Sequence, residues 1–336
     1  MAAPPSVGVI GAGGIAQPHV AAWRQLGASV TIHSLEGAEA LAARHEAATA
    51  DTLDELLDRC DVVDVCTPTF AHDEFVIAAA RAGKNVVCEK PLARTHAKAV
   101  AMIEACREAG VQLYPGQVVR FFPEYATAKA AVDAGRIGRP AVLRFSRRGA
   151  APSRAWFADP ALSGGIIVDQ MIHDLDYARW IAGDVSQVYA KVTGEPTTAY
   201  VILTHTSGAL THAIGGWGHP QTVFRTSFSL AGDTGLLEHD SADNPTLEWD
   251  VPSSASEGGT LLPNTSLVES PFVTELREFA AAFAGGPPPR VTAEDGLAAL
   301  DIGLAAAESA RIGRPVTLPL SADSFSEGPF SEASAC

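Results

Sequence analysis

The strongest constraint on the fold is an alternation of strand and helix patterns that extends from Ser6 to Gln117. Short β-branched runs alternate with Ala-rich stretches of helical periodicity, and these runs are SVGVI, ASVTIH, DVVDVC, KNVVCE and VQLYPG. The runs lack polar alternation, which is typical of parallel strands covered by helices on both faces. The pattern therefore predicts an α/β domain built on a parallel sheet over residues 1–120.

The pattern changes after about Phe121. Runs with alternating polar and apolar residues, such as AVLRFSRR and AYVILTHT, are separated by Gly, Pro and Ser clusters. This pattern is typical of antiparallel sheets with one face exposed to solvent. One helix is predicted between these strands over 164–183, and two more follow at 272–284 and 293–311. We expect an α+β domain with a large, mostly antiparallel open sheet over 121–320.

Two polar segments have too few apolar residues to form regular structure. Residues 239–266 are rich in Gly, Ser and Pro, which predicts a long surface loop or an irregular hairpin. Residues 321–336 predict a disordered tail. The chain is thus expected to consist of two domains and a tail.

Charge and composition exclude several classes of protein. The 39 acidic and 24 basic side chains give a net charge of −15, which argues against binding nucleic acid or anionic lipid through bulk charge. Of these, 17 acids and 4 bases lie in 233–336, so the part before it is nearly neutral. No apolar run is long enough to span a membrane. The five cysteines lack disulfide or metal-ligand spacing, so we expect a cytoplasmic protein without a metal site.

The turn between the first strand and the first helix is Gly11-Ala12-Gly13-Gly14-Ile15-Ala16. Gly11 permits the tight turn, Gly13 lets the backbone approach a pyrophosphate, and Ala16 keeps the helix close to the sheet. The helix N-terminus offers N–H groups and a positive partial charge to the phosphates. A purely structural turn is the alternative, but the flanking strand and helix favour dinucleotide binding.

Ser34 follows the second strand, where an acidic residue would bind the ribose 2′-hydroxyl of NAD. A hydroxyl, preceded here by His33, can donate to the 2′-phosphate that a carboxylate would repel. The sequence therefore favours NADP slightly over NAD. Glu36 is an alternative partner for the ribose, so both cofactors stay open.

Lys90 lies in the turn Cys88-Glu89-Lys90-Pro91, directly after the run KNVVCE. Ligands of open parallel sheets bind beyond the carboxyl ends of the strands, so we expect Lys90 to lie over the cofactor. Glu89 and Pro91 bracket the lysine and fix its direction, and the Lys90–Pro91 bond is a candidate cis peptide.

Asp169 and His173 are four residues apart in the predicted helix over 164–183, so they share one helix face. Histidine transfers protons near neutral pH, and a nearby carboxylate can orient its ring or bind a substrate hydroxyl. Such a pair alone is more often structural than catalytic. The other motifs reverse that preference.

These motifs, with VDVCTPTFAHDEF and GQVVRFFPEY between them, resemble the glucose-fructose oxidoreductase / inositol dehydrogenase / rhizopine-catabolism family of NAD(P)-dependent oxidoreductases. The resemblance extends from about Val7 to about Leu318. Its most specific parts are the EKP and GG…DxxxH motifs, about 75 residues apart. It implies a Rossmann domain followed by a mostly antiparallel sheet, whose face commonly forms the interface of dimers or tetramers.

Carried across residue by residue, the resemblance implies that Lys90, Asp169 and His173 are catalytic. It also implies contacts with the cofactor from the glycine turn and the strand ends: Gly11, Gly13, Gly14, Ile15, Ala16, Ser34, Cys66, Thr67, Pro68, His72, Glu89, Lys90 and Gln117. This chain departs from the family pattern at Ser34, where an acid is expected, and at Ile166, where a third glycine is common. Arg120 and Trp156 are candidate substrate contacts. A surface position is the preferred alternative for Arg120, and a position in the core is an equal alternative for Trp156.

The resemblance implies hydride transfer between NADP or NAD and a carbinol or carbonyl carbon of a sugar, polyol or related cyclic alcohol. His173 would remove the hydroxyl proton, Lys90 would stabilise the alkoxide, and Asp169 would hold His173 or an adjacent substrate hydroxyl. Two alternatives stay open: a carbonyl or imine reductase acting on a non-sugar substrate, and a non-catalytic regulator that senses the cofactor. We expect a homodimer or homotetramer that assembles through the C-terminal sheet.

Overall fold

The computed structural model describes residues 4–194, 197–242 and 269–320. The predicted tail over 321–336 lies outside the described residues, and so does the predicted loop from residue 243 onward.

The described residues form two compact units. The first unit contains residues 4–123 and 269–298, and the second contains residues 124–194, 197–242 and 299–320. The sequence division at about residue 120 places all later residues together. The structure differs from it because a helical segment near the C-terminus packs with the first unit.

The first unit contains a six-stranded, all-parallel sheet in the order β3-β2-β1-β4-β5-β6. Its strands are β1 (Ser6–Ile10), β2 (Ser29–His33), β3 (Ala48–Thr49), β4 (Val62–Val65), β5 (Asn85–Glu89) and β6 (Leu113–Gly116). The α/β prediction is confirmed. All five predicted strands are present, and the two-residue β3 was not predicted.

Helices connect the strands of this sheet: α1 (Ala16–Gln25), α2 (Ala38–His45), α3 (Leu53–Asp58), α4 (His72–Arg81) and α5 (His96–Ala109). Local sequence explains their ends. Thr95 caps α5 by accepting a hydrogen bond from the Lys98 N–H (3.3 Å), and Gly110 ends it in a left-handed conformation at φ = +70°. α3 was not predicted, because its six residues are too few to show a helical period.

The second unit contains a seven-stranded sheet. Its strands are β7 (Pro140–Ala150), β8 (Val185–Thr193), β9 (Thr197–His205), β10 (Leu210–Gly218), β11 (Arg225–Gly232), β12 (Leu236–Asp240) and β13 (Val316–Thr317). The order is β12-β11-β7-β10-β9-β8-β13, and only the β7–β10 pair is parallel among these described strands. The mostly antiparallel prediction is confirmed.

The helices between Pro123 and Ala182 are α6 (Pro123–Asp133), α7 (Ala155–Ala158), α8 (Pro160–Ser163) and α9 (Ile172–Ala182). A five-residue π-helix, Ile167–Met171, directly precedes α9. One face of the sheet packs against an aromatic core in which Tyr125, Tyr177 and Phe228 contact one another edge to face or tilted. This core holds α9 against β7.

The last two helices are α10 (Pro271–Phe283) and α11 (Ala293–Ile312). α10 is buried along one face, and Tyr114 of β6 stacks on its Phe279 and Phe283 with ring centroids 5.1 and 5.2 Å apart. This apolar contact explains why α10 belongs to the first unit.

Candidate active site

Gly11 brings three strand ends together at the start of the glycine turn. Its φ is +105°, and its N–H donates to the carbonyl of His33 at the end of β2 (2.8 Å). A Cβ here would lie 2.8 Å from the backbone carbonyl oxygen of Cys66, which follows β4. The fold therefore requires glycine at this position.

The rest of the turn presents backbone donors at the start of α1. Among the described residues, no side chain caps this helix end at Ile15. The first N–H groups of α1 are therefore available to a ligand, and the helix dipole favours an anion there. A Cβ at Gly14 would meet no described atom within 4 Å, so open space borders the turn. These features fit a pyrophosphate.

Beside the strand ends, polar atoms of two side chains are buried without a hydrogen-bond partner among the described residues. In the described parts of the chain, neither the Thr67 hydroxyl nor either polar atom of the Gln117 amide has a hydrogen-bond partner. Thr67 follows β4 and Gln117 follows β6, so both lie at the carboxyl edge of the sheet. An unsatisfied buried polar group costs about 1–3 kcal/mol, so these atoms fit the polar groups of a bound dinucleotide.

The residues on either side of Thr67 differ in what they can offer a ligand. Burial raises the pKa of the Cys66 thiol to about 12, and its Sγ lies 3.5 Å from Asp64 Oδ1. Its thiol is therefore neutral and turned toward the interior, whereas its backbone carbonyl faces Gly11. Pro68 is half-buried and precedes a short 3-10 helix, Thr69–Ala71.

The end of β2 carries no carboxylate at the position that selects between NAD and NADP. Ser34 is half-buried, Leu35 is fully exposed and Glu36 is exposed. The imidazole Nδ1 of His33 lies 3.1 Å from the carbonyl oxygen of Ala50. The described contacts therefore leave the choice of cofactor to the Ser34 hydroxyl and the exposed Glu36.

Lys90 lies in a turn whose geometry the preceding side chain fixes. Glu89 is buried at the end of β5, and its Oε2 accepts a hydrogen bond from the backbone N–H of Lys90 (3.0 Å). The Lys90–Pro91 peptide bond is cis, as the sequence suggested. The Lys90 side chain is half-buried.

His72 binds the other side of this turn. Its Nδ1 lies 3.0 Å from the Pro91 carbonyl oxygen, and its Nε2 lies 2.9 Å from that of Thr67. Burial lowers the pKa of this imidazole, so the ring is neutral at pH 7. Both ring nitrogens lie at hydrogen-bond distance from backbone carbonyls, but a neutral ring carries one N–H, so it donates to only one of them at a time and packs against the other loop. The sequence pointed to a cofactor contact here and missed these contacts.

A buried charge network lies beneath the same turn. The two ring nitrogens of His19 on α1 lie 2.8 Å from Asp64 Oδ2 and 3.0 Å from Glu89 Oε1. Trp23 Nε1 also donates to Asp64 Oδ2 (2.7 Å). Burial opposes a charge on His19, but the Asp64 carboxylate raises the pKa of the imidazole well above its usual value. We call His19, Trp23, Asp64 and Glu89 the His19 network.

Donor atoms of His19, Asp64 and Cys66 lie within 4.8 Å of one another, a spacing that a metal ion could accept. However, both ring nitrogens of His19 face carboxylates at hydrogen-bond distance. The thiol of Cys66 is also protonated at neutral pH. We therefore interpret the group as a hydrogen-bonded network.

The second unit carries Asp169 and His173. Asp169 is buried within the π-helix, and His173 is half-buried in the first turn of α9. The sequence predicted one continuous α-helix here, and the π-helix corrects that prediction. Its wider turn is a feature often found at functional sites.

The helix that carries this pair is fixed to β7 by a second buried network. Arg147 donates twice to Asp174, from Nε to Oδ2 (3.0 Å) and from an Nη to Oδ1 (2.7 Å). The Gln170 amide donates to the Arg147 carbonyl (2.9 Å). Gln170 and Asp174 directly follow Asp169 and His173, so these bonds fix the rotation of the helix segment. We call Arg147, Gln170 and Asp174 the Arg147 network.

The two candidate substrate contacts have different surroundings. Arg120 is buried in the first unit, and its guanidinium donates to the Arg290 carbonyl (2.8 Å) and to Asp295 Oδ2 (3.0 Å). Trp156 lies on α7 in the second unit and stacks on Phe157 with ring centroids 3.7 Å apart.

Sequence reasoning missed both buried networks, although each left a signal. Asp64 interrupts the apolar run VVDV, and His19 lies on the apolar face of α1 with Val20 and Trp23. A charged residue inside such a pattern must be paired when buried. Arg147 shows the same signal, since it occupies an inward position of the alternating β7.

The sequence matches two family models. Residues 6–117 match the oxidoreductase family with an NAD-binding Rossmann fold, GFO_IDH_MocA. Residues 125–238 match the GFO/IDH/MocA C-terminal domain. The chain belongs to this family. It is an NAD(P)-dependent oxidoreductase, and the resemblance drawn from its motifs is confirmed.

Individual relatives of this family agree with that assignment. A myo-inositol 2-dehydrogenase from Thermotoga maritima is 34% identical, over 77% of this chain and 80% of the relative. A scyllo-inositol 2-dehydrogenase (NAD(+)) from Bacillus subtilis is 31% identical, over 77% of this chain and 78% of the relative. The crystal structure of a probable dehydrogenase from Thermotoga maritima matches with a TM-score of 0.79 and 31% identity, covering 93% and 98% of the two chains.

None of the helices among the described residues is both long enough and apolar enough to cross a membrane.

Proposed function

We propose that this enzyme oxidises a carbinol carbon of a sugar, polyol or related cyclic alcohol, or reduces the corresponding carbonyl. The main support is the arrangement at the carboxyl edge of the parallel sheet. The Lys90 turn lies at this edge, and so do the buried polar groups of Thr67 and Gln117 that lack hydrogen-bond partners among the described residues. Two relatives at 34% and 31% identity are named inositol dehydrogenases, which supports a cyclic polyol.

In this proposal the first unit holds the cofactor. The residues that would contact it are those at the glycine turn and the strand ends: Gly11, Gly13, Gly14, Ile15, Ala16, Ser34, Cys66, Thr67, Pro68, Glu89, Lys90 and Gln117. When bound, the nicotinamide accepts or gives the hydride, and the protein supplies position and proton transfer. Of the earlier candidates, we assign His72 to holding the Pro91 carbonyl rather than to the cofactor.

We propose that the enzyme prefers NADP slightly to NAD. Ser34 leaves the end of β2 without the carboxylate that would repel a 2′-phosphate. The ratio of kcat/KM for NADP+ and NAD+ tests this preference. Ser34→Asp should move that ratio at least tenfold toward NAD+, and an unchanged ratio would show that selection lies elsewhere, with Glu36 the next position to test.

Lys90 and His173 have complementary roles in the proposed reaction. In the oxidation direction His173 removes the hydroxyl proton of the substrate, and the Lys90 ammonium stabilises the developing alkoxide. Asp169 holds His173 or an adjacent substrate hydroxyl. In the reverse direction His173 returns the proton to the alkoxide.

Trp156 remains a candidate for covering the nicotinamide or the substrate. Arg120 is already bound to Arg290 and Asp295 by two hydrogen bonds, so we assign it to the structure of the first unit.

We propose that the outer face of the seven-stranded sheet forms a homodimer or homotetramer interface. Tyr200, Ile202 and Leu210 on β9 and β10 expose large apolar side chains on this face, each more than a third accessible. Light scattering after size exclusion tests the proposal: Ile202→Arg should lower the measured mass to that of a smaller assembly, and an unchanged mass would count against this face.

The four described cysteines, Cys60, Cys66, Cys88 and Cys106, are free thiols. On this basis we propose a reducing compartment, the cytoplasm, as the location of the enzyme. We further propose a small-molecule substrate and no nucleic-acid partner, because the net charge is −15.

A titration with NAD+ and NADP+ over a panel of inositols and sugars, read at the absorbance band of the reduced nicotinamide, tests the proposed function. We expect turnover on at least one cyclic polyol or sugar. Turnover confined to non-sugar carbonyls or imines would replace the substrate class. Cofactor binding without turnover on any of these compounds would favour a sensing regulator.

A further inference from the structure

The proposed catalytic lysine is connected to α1 through two bonds to one buried carboxylate. Glu89 Oε1 accepts a hydrogen bond from His19 (3.0 Å), and Glu89 Oε2 accepts one from the Lys90 N–H (3.0 Å). Any rotation of the carboxylate that kept one of these bonds would weaken the other. A Cβ at Gly116 would lie 2.7 Å from Glu89 Oε1, so glycine on the neighbouring strand leaves the space that this carboxylate occupies.

We propose that His19 is a positioning residue for Lys90, acting through Glu89. The inference rests on the proposed catalytic role of Lys90. His19 would then support catalysis without touching the substrate, because its ring is fully buried. The ring lies on α1, the helix that follows the glycine turn.

The geometry of the ring fits the charged form of His19. Carboxylate oxygens accept hydrogen bonds, and one oxygen of Asp64 and one of Glu89 each lie within 3.0 Å of one ring nitrogen. A neutral imidazole has one N–H and could serve only one of them. An imidazolium donates to both, so it joins β4 and β5 beneath the Lys90 turn while balancing one of the two carboxylate charges.

Other groups that face His19 are consistent with this form. From β4 and the loop after it come Asp64 and the protonated Cys66, and from α10 come Glu275 and the ring of Phe272, whose centroid is 5.3 Å from that of His19. Burial raises the pKa of Glu275 well above its usual value and so disfavours a further negative charge beside the ring.

His72 completes the arrangement on the opposite side of the lysine. Its Nδ1 lies 3.0 Å from the carbonyl oxygen of Pro91, the residue after Lys90, whereas His19 contacts the side chain of Glu89, the residue before it. Lys90 thus has a neighbour in contact with a histidine on each side. In enzymes, contacts of this kind hold a reacting group to within a fraction of an ångström of its productive position.

The test compares His19→Gln with Trp23→Phe. Glutamine at position 19 keeps one donor nitrogen for one of the two carboxylates. It removes the positive charge of the imidazolium and the hydrogen bond to the other carboxylate. Trp23→Phe removes a different donor to the same Asp64 carboxylate and has no bond to Glu89, so it is the matched control for loosening of the network.

The first measurement does not depend on turnover. The chain has five lysines, so labelling with ¹⁵N-lysine gives few backbone signals, and the exchange rate of the Lys90 amide can be followed directly. We expect His19→Gln to accelerate this exchange about tenfold relative to the Lys191 amide, and Trp23→Phe to change it less than about twofold. The second measurement is kcat, which should fall about tenfold in His19→Gln while the dissociation constant for the cofactor stays within about threefold.

Unchanged Lys90 exchange in His19→Gln overturns the proposal whatever happens to kcat, and equal acceleration in both variants overturns it in favour of general loosening. Faster Lys90 exchange with unchanged kcat would overturn the positioning role of His19 while leaving the physical link intact; the proposed function is tested separately by Lys90→Ala, whose kcat should fall even if His19→Gln has no effect on kcat. If His19→Gln does not fold, Glu89→Gln is measured in the same way. It should also accelerate Lys90 exchange, and failure to do so overturns the link.

Discussion

Each unit of this protein buries a charged network directly beside a proposed catalytic residue, but the two networks use different chemistry. In the first unit, an imidazolium links two carboxylates, and Glu89 precedes Lys90 in the chain. In the second unit, a guanidinium binds Asp174 through two hydrogen bonds, and Asp174 follows His173. Both networks hold the backbone and leave the neighbouring reactive side chain outside the network.

The difference lies in how each network responds to pH. The charge on His19 depends on a titration near neutrality, which the surrounding carboxylates displace upward. Arg147 stays protonated at every pH that a protein tolerates. The support of Lys90 is therefore conditional on pH, whereas the support of Asp169 and His173 is permanent.

The largest expected effect comes from removing the reactive groups themselves. Lys90→Ala and His173→Ala should each lower kcat by about 10³-fold, because each removes charge or proton transfer at the transition state. Cofactor affinity, measured by nicotinamide fluorescence, should change less than about threefold. Lys191→Ala, at an exposed position of β8, is the control and should retain full activity.

A large loss of kcat in only one of these variants would show that the two networks do not both support a catalytic residue. The variant with near-normal kcat would then identify a residue with no part in the chemistry, and its network would have a purely structural role.

Breaking the permanent network should cost the most stability. Asp174→Ala leaves the Arg147 guanidinium buried without its partner and should lower the free energy of unfolding by about 3–5 kcal/mol. Asp184→Ala is the matched control, because Asp184 is exposed and pairs with Arg179 at the surface. Its loss should stay below about 1 kcal/mol in denaturant unfolding. Equal losses in the two variants would contradict the burial argument.

The pH dependence of stability separates the two networks directly. Below about pH 6.5 His19 is protonated in both folded and unfolded chains, and above it only the folded chain keeps the proton. The stability advantage of wild type over His19→Gln should therefore be largest in acid. It should shrink by about 1.4 kcal/mol per pH unit as the pH rises above 6.5 toward the pKa of the folded state.

The corresponding advantage over Asp174→Ala should not decline in this way between pH 6.5 and 9. Denaturant unfolding of wild type and both variants across this range makes the comparison. Parallel pH profiles for the two variants would show that His19 is neutral in the folded protein.

The last effect concerns Glu275, the buried acid beside the His19 network. Both carboxyl oxygens of Glu275 lack a hydrogen-bond partner among the described residues, and burial raises its pKa well above the usual value. The wild type thus loses stability as the pH rises above about 4.5, where the unfolded chain ionises this group. Glu275→Gln cannot ionise, so its stability relative to wild type should rise by about 1.4 kcal/mol per pH unit from pH 5 toward the pKa of the carboxyl in the folded state. A gain that is constant with pH would indicate a packing effect.

The sequence predicts the framework of both units because strands and helices leave local periodic signals. It predicts the glycine turn and the Lys90 turn for the same reason, since each depends on neighbouring residues. It does not predict that Pro271–Phe283 packs with the first unit, because an apolar helix face does not identify its partner.

The sequence does not predict the His19 network or the Arg147 network, for a related reason. Asp64 and Glu89 lie 45 and 70 residues after His19 in the chain, and the three side chains meet only in the folded unit. The π-helix at Asp169 likewise leaves no periodic signal of its own in the sequence.

Lys90 is proposed to assist hydride transfer from the carbinol carbon of a polyol to the nicotinamide. A single turnover of carbon-deuterated myo-inositol and scyllo-inositol with NAD+ or NADP+, followed by mass analysis of the cofactor, tests this reaction. With wild-type protein the reduced cofactor should be one deuterium heavier, and with Lys90→Ala the transfer should be about 10³-fold slower. Tight cofactor binding with no deuterium transfer from either inositol or from a panel of deuterated sugars would contradict the proposed reaction.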